Sequence, residues 1–524
     1  MKRIIRQILG WSLMLTLPLM MTSCGELFDM LDNPITPALQ VLRAQLTLKV
    51  GESKPIQAST QAHVVLLYSS DNPAVATVDA TGLITAVSPG TARITIKAQG
   101  EDDYYRTEIF SENTTTVEVT VTKKDGSISF AEASVSKYVG DAVFTNPITI
   151  VGDGTVTYSS SNTDVATVDA NGNVTIVDGG TAIITATTAN TDEYAYKPDY
   201  AQYTLRVIKI IDLSTLTSDY IAQDNNILTG TLAGNYKITI ADNANVELKD
   251  VTINGGNNSS TNWAGLTCDG NATITITGTN TVKGFYIDSP GIKAGPTSST
   301  LTINGTGSLT ATGGDFAAGI GSGWKATCGA ITISGGTVNA SSSMNGAGIG
   351  SGFSDSSCGD ITISGGTVYA NSSKDGAGIG SGYKNSSCKN ITISGGTVIA
   401  SSGDAGAGIG SGCSGSSCGD ITISGGTVMA SSGRYGAGIG SGFDSTFGSI
   451  TITSDITKVQ ATSNHPDAWP IGKGLGDNTS TGAVTIAEVT VTGRDWDGTG
   501  LSGSGLTLTG AGTNTWTLTS TTAP

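Results

Sequence analysis

Apolar and polar positions alternate along this chain in very short runs. Between Ala330 and Ser449 one phrase recurs four times with a period of 30 residues: I-T-I-S-G-G-T-V-x-A, a Ser/Gly loop, G-A-G-I-G-S-G, and a second loop ending in Cys. Ile331, Ile361, Ile391 and Ile421 head successive copies, and Cys328, Cys358, Cys388 and Cys418 close them. Alternation over three or four residues predicts short strands, with Ile331 and Ile333 on one side and Thr332 and Ser334 on the other. A unit this short buries its apolar face only against stacked neighbours. The pattern therefore predicts a parallel β-helix over residues 212–524, regular in its core at 301–452, with I-T-I, T-V-x-A and A-G-I-G forming three sides. Right-handed coils are expected, as parallel crossovers nearly always are. Looser triplets at Val246 to Leu248, Ile274 to Ile276, Leu301 to Ile303, Ile450 to Ile452 and Val484 to Ile486 bring the expected stack to about nine coils. The Thr/Gly-rich stretch Gly498 to Ser520 is placed to cover the last open edge.

Residues 37–122 and 127–211 are two copies of a different unit, offset by 90 residues: Tyr68-Ser69-Ser70 matches Tyr158-Ser159-Ser160, and Ala76-Thr77-Val78-Asp79 matches Ala166-Thr167-Val168-Asp169. Alternation at Ala92 to Ile96 and Val117 to Val121, with turns at Thr81-Gly82 and Pro89-Gly90, predicts antiparallel sandwiches. The phrase V-A-T-V-D-x-x-G-x-x-T followed by G-T-A resembles the bacterial immunoglobulin-like domain, group 2. That resemblance implies a stalk or adhesive module, as in intimin-type surface proteins. Asp79 and Asp169 stand just before a turn; they are calcium ligands or turn-formers, and the lack of a second recurring carboxylate favours the turn. Asp103-Tyr104 and Glu193-Tyr194 repeat at the same offset and read as a loop anchored by an aromatic ring.

Composition narrows the function. Charged residues make up 13% of the chain, there are 72 Gly, and the formal net charge is −16. An acidic field repels phosphate, so nucleic-acid partners are excluded. The N-terminus has the form of a targeting segment: Lys2, Arg3 and Arg6, an apolar run from Ile8 to Met21, then Met21-Thr22-Ser23-Cys24. It resembles the lipobox of bacterial lipoproteins, which implies a signal peptide at 1–23, acylation of Cys24 and a linker at 24–36. Glu26, Asp29 and Asp32 resemble the export signal that sends such lipoproteins to the exterior of the outer membrane.

Candidate binding chemistry lies where the repeat varies. The x of T-V-x-A is Asn339, Tyr369, Ile399 and Met429, a position too variable for a packed column and so expected to face solvent. After each S-G stand Trp324, Phe353, Tyr383, Cys413 and Phe443, rings one coil apart that either stack on sugar faces or fill a corner. The repeats resemble bacterial surface β-helix proteins of the pectate-lyase-like superfamily, including carbohydrate-binding domains. This implies polysaccharide or host-cell glycan as partner, with Trp324, Phe353, Tyr383, Phe443, Tyr369 and Asn339 as ligand-binding candidates. Calcium-carrying members have Asp where this chain has G-A-G-I-G-S-G, so no cofactor is expected.

The four Cys form a ladder that either pairs or stays as packed thiols; in-register strands aim both Cβ atoms the same way, which favours thiols. A metal column is disfavoured, since His63 and His465 are the only histidines and close C-x-x-C pairs are missing. Catalysis needs a carboxylate pair or a calcium-and-base set on a symmetry-breaking coil. Asp360 and Asp420 are copied instead, and Asp375, Asp404 and Asp444 scatter. The expectation is a non-enzymatic surface lipoprotein that binds carbohydrate polymers or mediates adhesion. A polysaccharide lyase or hydrolase, a protein-binding adhesin and an ice-binding Thr array are the alternatives.

Overall fold

The computed structural model describes residues 36–60, 64–100, 111–256, 260–476 and 482–521. The signal segment, Cys24 and Asp103-Tyr104 lie outside these. The fold is all-β: an immunoglobulin-like region followed by a β-solenoid. Among the described residues no helix is long and apolar enough to cross a membrane.

In the first sandwich Gln45–Lys49, Asn113–Thr122, Gly90–Gly100 and Val64–Ser70 make one sheet, and Ser53–Pro55, Leu83–Ala86 and Ala76–Val78 the other. Alternating residues close the core between them, with Ile84, Ile94, Ile96 and Val119 fully buried. The second sandwich repeats this plan around Val174, Leu205 and Val207. Asp79 and Asp169 form turns. The Asp79 Oδ1 accepts the Thr81 and Leu83 N–H groups at 2.8 and 2.9 Å, and the Asp169 Oδ1 accepts those of Asn171 and Asn173 at 2.8 Å each. Hydrogen bonds from the Thr81 hydroxyl and the Asn173 side chain lead the causes that hold both carboxyls below the usual range. Tyr196 anchors the loop beside Glu193-Tyr194, its hydroxyl accepting the Gly154 N–H at 2.8 Å.

The three bodies are joined by strands. Only Lys123 separates Asn113–Thr122 from Lys124–Phe130 of the second sandwich, and Lys124 pairs there with Glu193. The last strand of the second sandwich, Tyr200–Asp212, does two jobs. Its first part pairs with Gly180–Thr188, and Lys209 to Asp212 then pair in parallel with Asn226 to Thr229 of the solenoid. The solenoid's leading edge is thus covered by the sandwich itself. Asn225, in a left-handed conformation (φ 63°), seals the joint. Its Oδ1 accepts two bonds from the Arg206 guanidinium at 3.0 and 2.7 Å, and its Nδ2 donates to Thr181 Oγ1 at 2.8 Å.

The solenoid stacks in-register parallel strands. Each regular coil holds four strands where the sequence indicated three. For one coil these are Ile361–Ile363, Thr367–Ser372, Ile379–Gly380 and Ser387–Cys388. The fourth is the Cys ladder, a two-residue strand too short to show alternation. About eight turns are complete, close to the nine expected; among the described residues the column through Thr367–Ser372 stacks nine strands, from the end of Asn226–Thr231 to Lys458–Thr462. Inward Ile, Val and Ala of every coil are buried, and each buried Ile contributes roughly 2 kcal/mol. Gly350 shows why G-A-G-I-G-S-G does not vary: its φ is 136°, and a Cβ there would collide with the Gly380 carbonyl oxygen on the next coil. Ser351, Ser381 and Ser411, fully buried, accept the N–H groups of Gly382, Gly412 and Gly442. At the far end Thr515–Ser520 pairs antiparallel with Lys458–Thr462 and buries Trp516.

The ladder cysteines Cys328, Cys358, Cys388 and Cys418 are buried thiols, and Phe447 closes their column. Neighbouring sulfur and burial hold the Cys358 and Cys388 thiols well above their ordinary value, paired with Cys328 and Cys418 respectively.

Two outcomes follow from these joints and turns. Asn225→Ala, which strips four side-chain hydrogen bonds and a tolerated left-handed residue from the junction, lowers stability by roughly 2–4 kcal/mol in chemical denaturation. Because the Asp79 and Asp169 carboxyls are depressed in the folded state, their contribution is present above the unfolded carboxylate pKa and disappears as pH falls through the folded value. Replacing both by Asn removes that part of the acid limb in a thermal melt taken against pH.

Candidate functional site

The two variable loops of each coil meet on one corner and build a strip two residues wide. Backbone N–H groups of the second loop donate to carbonyls of the first: Phe353 to Phe316, Tyr383 to Asn345, Cys413 to Asp375, Phe443 to Ala405 and Leu475 to Tyr435, all at 2.9 to 3.0 Å. After the ring position the chain turns through left-handed residues, Ser354 and Asp355 in one coil and Lys384 and Asn385 in the next. That turn holds the ring over the corner.

The rings group differently from the expected ladder. Phe353 stacks on Tyr383 at 5.4 Å and 27°, and on its other side meets Phe316 at 5.1 Å. Trp324 stands outside this stack; it is 44% exposed and its ring lies 5.1 Å from Lys325 Nζ. Phe443 meets Tyr435 at 5.8 Å, and Tyr435 meets His465 at 5.9 Å. Between the two clusters the rung of Asp375 and Cys413 carries no ring. Phe353, Tyr383 and Phe443 are half-buried, so each packs one side against the corner and keeps an outer edge accessible.

Phe316, Tyr435 and His465 were missed. Phe316 and Tyr435 share with Asn345, Asp375 and Ala405 the place two residues before the A-G of each corner, a second variable column visible in the sequence but separated from the first by a corner. His465 lies in the insertion before Ile471, where the period fails.

The x column is placed outward, in the order Thr310, Asn339, Tyr369, Ile399, Met429, Gln460. Tyr369 is 42% exposed and the others are half-buried. It lies on a sheet face, on different strands from the ring strip, so the six candidate residues do not form one surface.

The carboxylates are mostly engaged. Asp360 Oδ1 accepts the Asn390 N–H at 3.1 Å, Asn390 Oδ1 accepts the Asp420 N–H at 3.0 Å, and Asp420 Oδ1 accepts the Ser449 N–H at 2.7 Å. This ladder staples coil to coil, and the bonds from Ser449 hold the Asp420 carboxyl low. Asp375, in the gap between the ring clusters, is pushed up by burial. Lys374 Nζ lies 4.0 Å from it. Among the described residues no group of three or more His, Cys, Asp or Glu is placed to hold a metal ion.

Comparisons with known proteins match three parts of the chain. The model of the bacterial Ig-like domain (group 2) matches residues 35–107, and that of the intimin immunoglobulin-like domain residues 151–190. The beta helix repeat matches 301–324, 331–353, 361–383, 391–413 and 421–443. Comparison with curated proteins gives no match. Among solved structures, N-cadherin EC1-4 of Drosophila is similar at 12% identity over 33% of this chain and 50% of that one, with a TM-score of 0.18. Domains 4 and 5 of the S-layer protein SbsC are 18% identical over 33% and 99%, with a TM-score of 0.19. The titin domains z1z2 are 15% identical over 33% and 98%, with a TM-score of 0.22. The chain thus joins a bacterial Ig-like domain and an intimin-type Ig-like domain to a run of beta-helix repeats.

Proposed function

We propose that this is a non-enzymatic cell-surface protein whose solenoid binds carbohydrate polymers or mediates adhesion. In this reading acyl chains on Cys24 hold it at the outer membrane, and the two sandwiches are spacers that carry the solenoid outward. The Ig-like and beta-helix matches support a surface or adhesin-like role. The strand-welded joints suit a stalk that keeps its far end away from a membrane.

The observation that carries the glycan reading is the half-exposed column of rings at coil spacing, Phe316, Phe353 and Tyr383. Sugar rings offer apolar faces to such rings, and neighbouring hydroxyls and amides complete the contacts. Repetition along a rod lets weak sites sum, so polymers bind where monosaccharides do not. The copied carboxylates support the non-enzymatic part: Asp360 and Asp420 are occupied as coil staples.

The lyase or hydrolase alternative rests on one group, Asp375, whose carboxyl burial pushes up between the ring clusters. A raised carboxyl is the form a general acid takes.

Retention of the full chain on a panel of immobilised polysaccharides tests the reading. The Phe353→Ala, Tyr383→Ala double variant is expected to bind its polymer about tenfold more weakly, as losing two stacking contacts implies, while still unfolding cooperatively at a melting temperature lowered only by the packing these half-buried rings supply. Retention by no polysaccharide, with host cells or fibres bound instead, sinks the glycan part. Release of soluble products that stops in Asp375→Asn overturns the non-enzymatic part.

A further inference from the structure

A second surface stands apart from the ring strip. The adjacent ladders of I-T-I and T-V-x-A strands, joined through the S-G-G bends, form one uncharged surface: the ten strands from Thr300–Gly305 to Thr427–Ser431 contain no Asp, Glu, Lys or Arg. The S-G-G turns between them are uncharged as well. In a chain of formal net charge −16, five successive coils thus expose a neutral sheet. Charge resumes at its borders, with Asp360 and Asp420 along one side and Lys374 and Arg434 along the other.

The outward groups are ordered. Thr362 registers with Thr392 and Thr422, and Thr367 with Thr397 and Thr427. Among the described residues the hydroxyls of these Thr have no protein partner, whereas the buried Ser and the Asp360–Asn390–Asp420 row are bonded coil to coil. Tyr369, Ile399 and Met429 run beside the Thr367, Thr397 and Thr427 row, on the side away from Thr362, as a short apolar stripe.

We propose that this face is a second binding surface, for an uncharged linear polysaccharide lying along the solenoid axis. The proposal does not require the ring strip to bind anything. An acidic polymer would meet the negative field of the chain with no cation on the face to offset it. A second copy of the chain would need a broadly apolar sheet to interdigitate, and three apolar side chains beside a hydroxyl row do not supply one. A neutral sugar polymer matches both features. Its hydroxyls exchange water for the free Thr hydroxyls, its C–H faces cover Tyr369 and the Thr methyls, and the coil repeat of about 4.8 Å multiplies each contact over a length on the order of 20 Å.

Affinity electrophoresis of the full chain tests this, with hydroxyethyl cellulose and galactomannan as neutral probes and polygalacturonate as the acidic one. Retardation by a neutral probe is expected, unchanged between about 0.05 and 1 M salt because no ion pair is involved. Thr392→Lys, which buries an unpaired charge under the polymer, is expected to weaken it at least about tenfold. If that variant fails to fold, Tyr369→Ala, at an exposed position, carries the test with an expected loss of about threefold to tenfold. Retardation by polygalacturonate alone, salt-sensitive retardation, or full retention in both face variants overturns the proposal. So does a neutral-polymer loss confined to the Phe353→Ala, Tyr383→Ala chain, which would leave the ring strip as the glycan site. A dimer that Thr392→Lys dissolves would assign the face to a second copy. Retention of no polymer at all overturns this proposal together with the glycan reading.

Discussion

In-register stacking of the backbone is the constraint on which the rest of the solenoid depends. Each coil is a set of strands two to six residues long that buries its Ile, Val and Ala only because the coil above and the coil below carry the same residues at the same places. Close approach between coils excludes side chains at the corners, which is why Gly350, Gly380, Gly410 and Gly440 recur. Backbone groups freed at those corners are satisfied by buried Ser hydroxyls. The Ser-rich character of the repeat therefore belongs largely to the interior rather than to a ligand.

The same constraint locates the positions free to vary. A position that points inward cannot change without breaking its column, so variation is confined to the two loops and to the outward x of T-V-x-A. Those places become the ring strip and the stripe on the T-V-x-A ladder. Carboxylates copied from coil to coil take part in the stacking, and Asp360 and Asp420 spend their oxygens on the N–H groups of the next coil. Asp375 is placed differently, half-buried between the ring clusters and beside Lys374.

Stacking also explains the ends. An open coil presents unpaired strand edges, and the two termini solve this differently. At the near end the second sandwich extends its own last strand into the first coil, so spacer and solenoid share one sheet. At the far end the hairpin of Leu506–Thr509 and Thr515–Ser520 folds back antiparallel and places Trp516 inside.

From the sequence alone came the period, hence the parallel register, the inward and outward sides of I-T-I and T-V-x-A, the duplicated sandwiches and the turn role of Asp79 and Asp169. All of these follow from local alternation and fixed spacing, which a chain carries in its order of residues. The fourth strand of each coil was not legible, because two residues are too few to alternate. Nor was the ring strip: Phe316 and Phe353 stand 37 residues apart, one before a corner and one after the next coil's, and only the closure of the coil lays their loops side by side. Trp324 fitted the pattern of spacing yet falls outside the stack, since spacing along the chain sets which coil a ring sits on and the turn beneath it sets where the ring points.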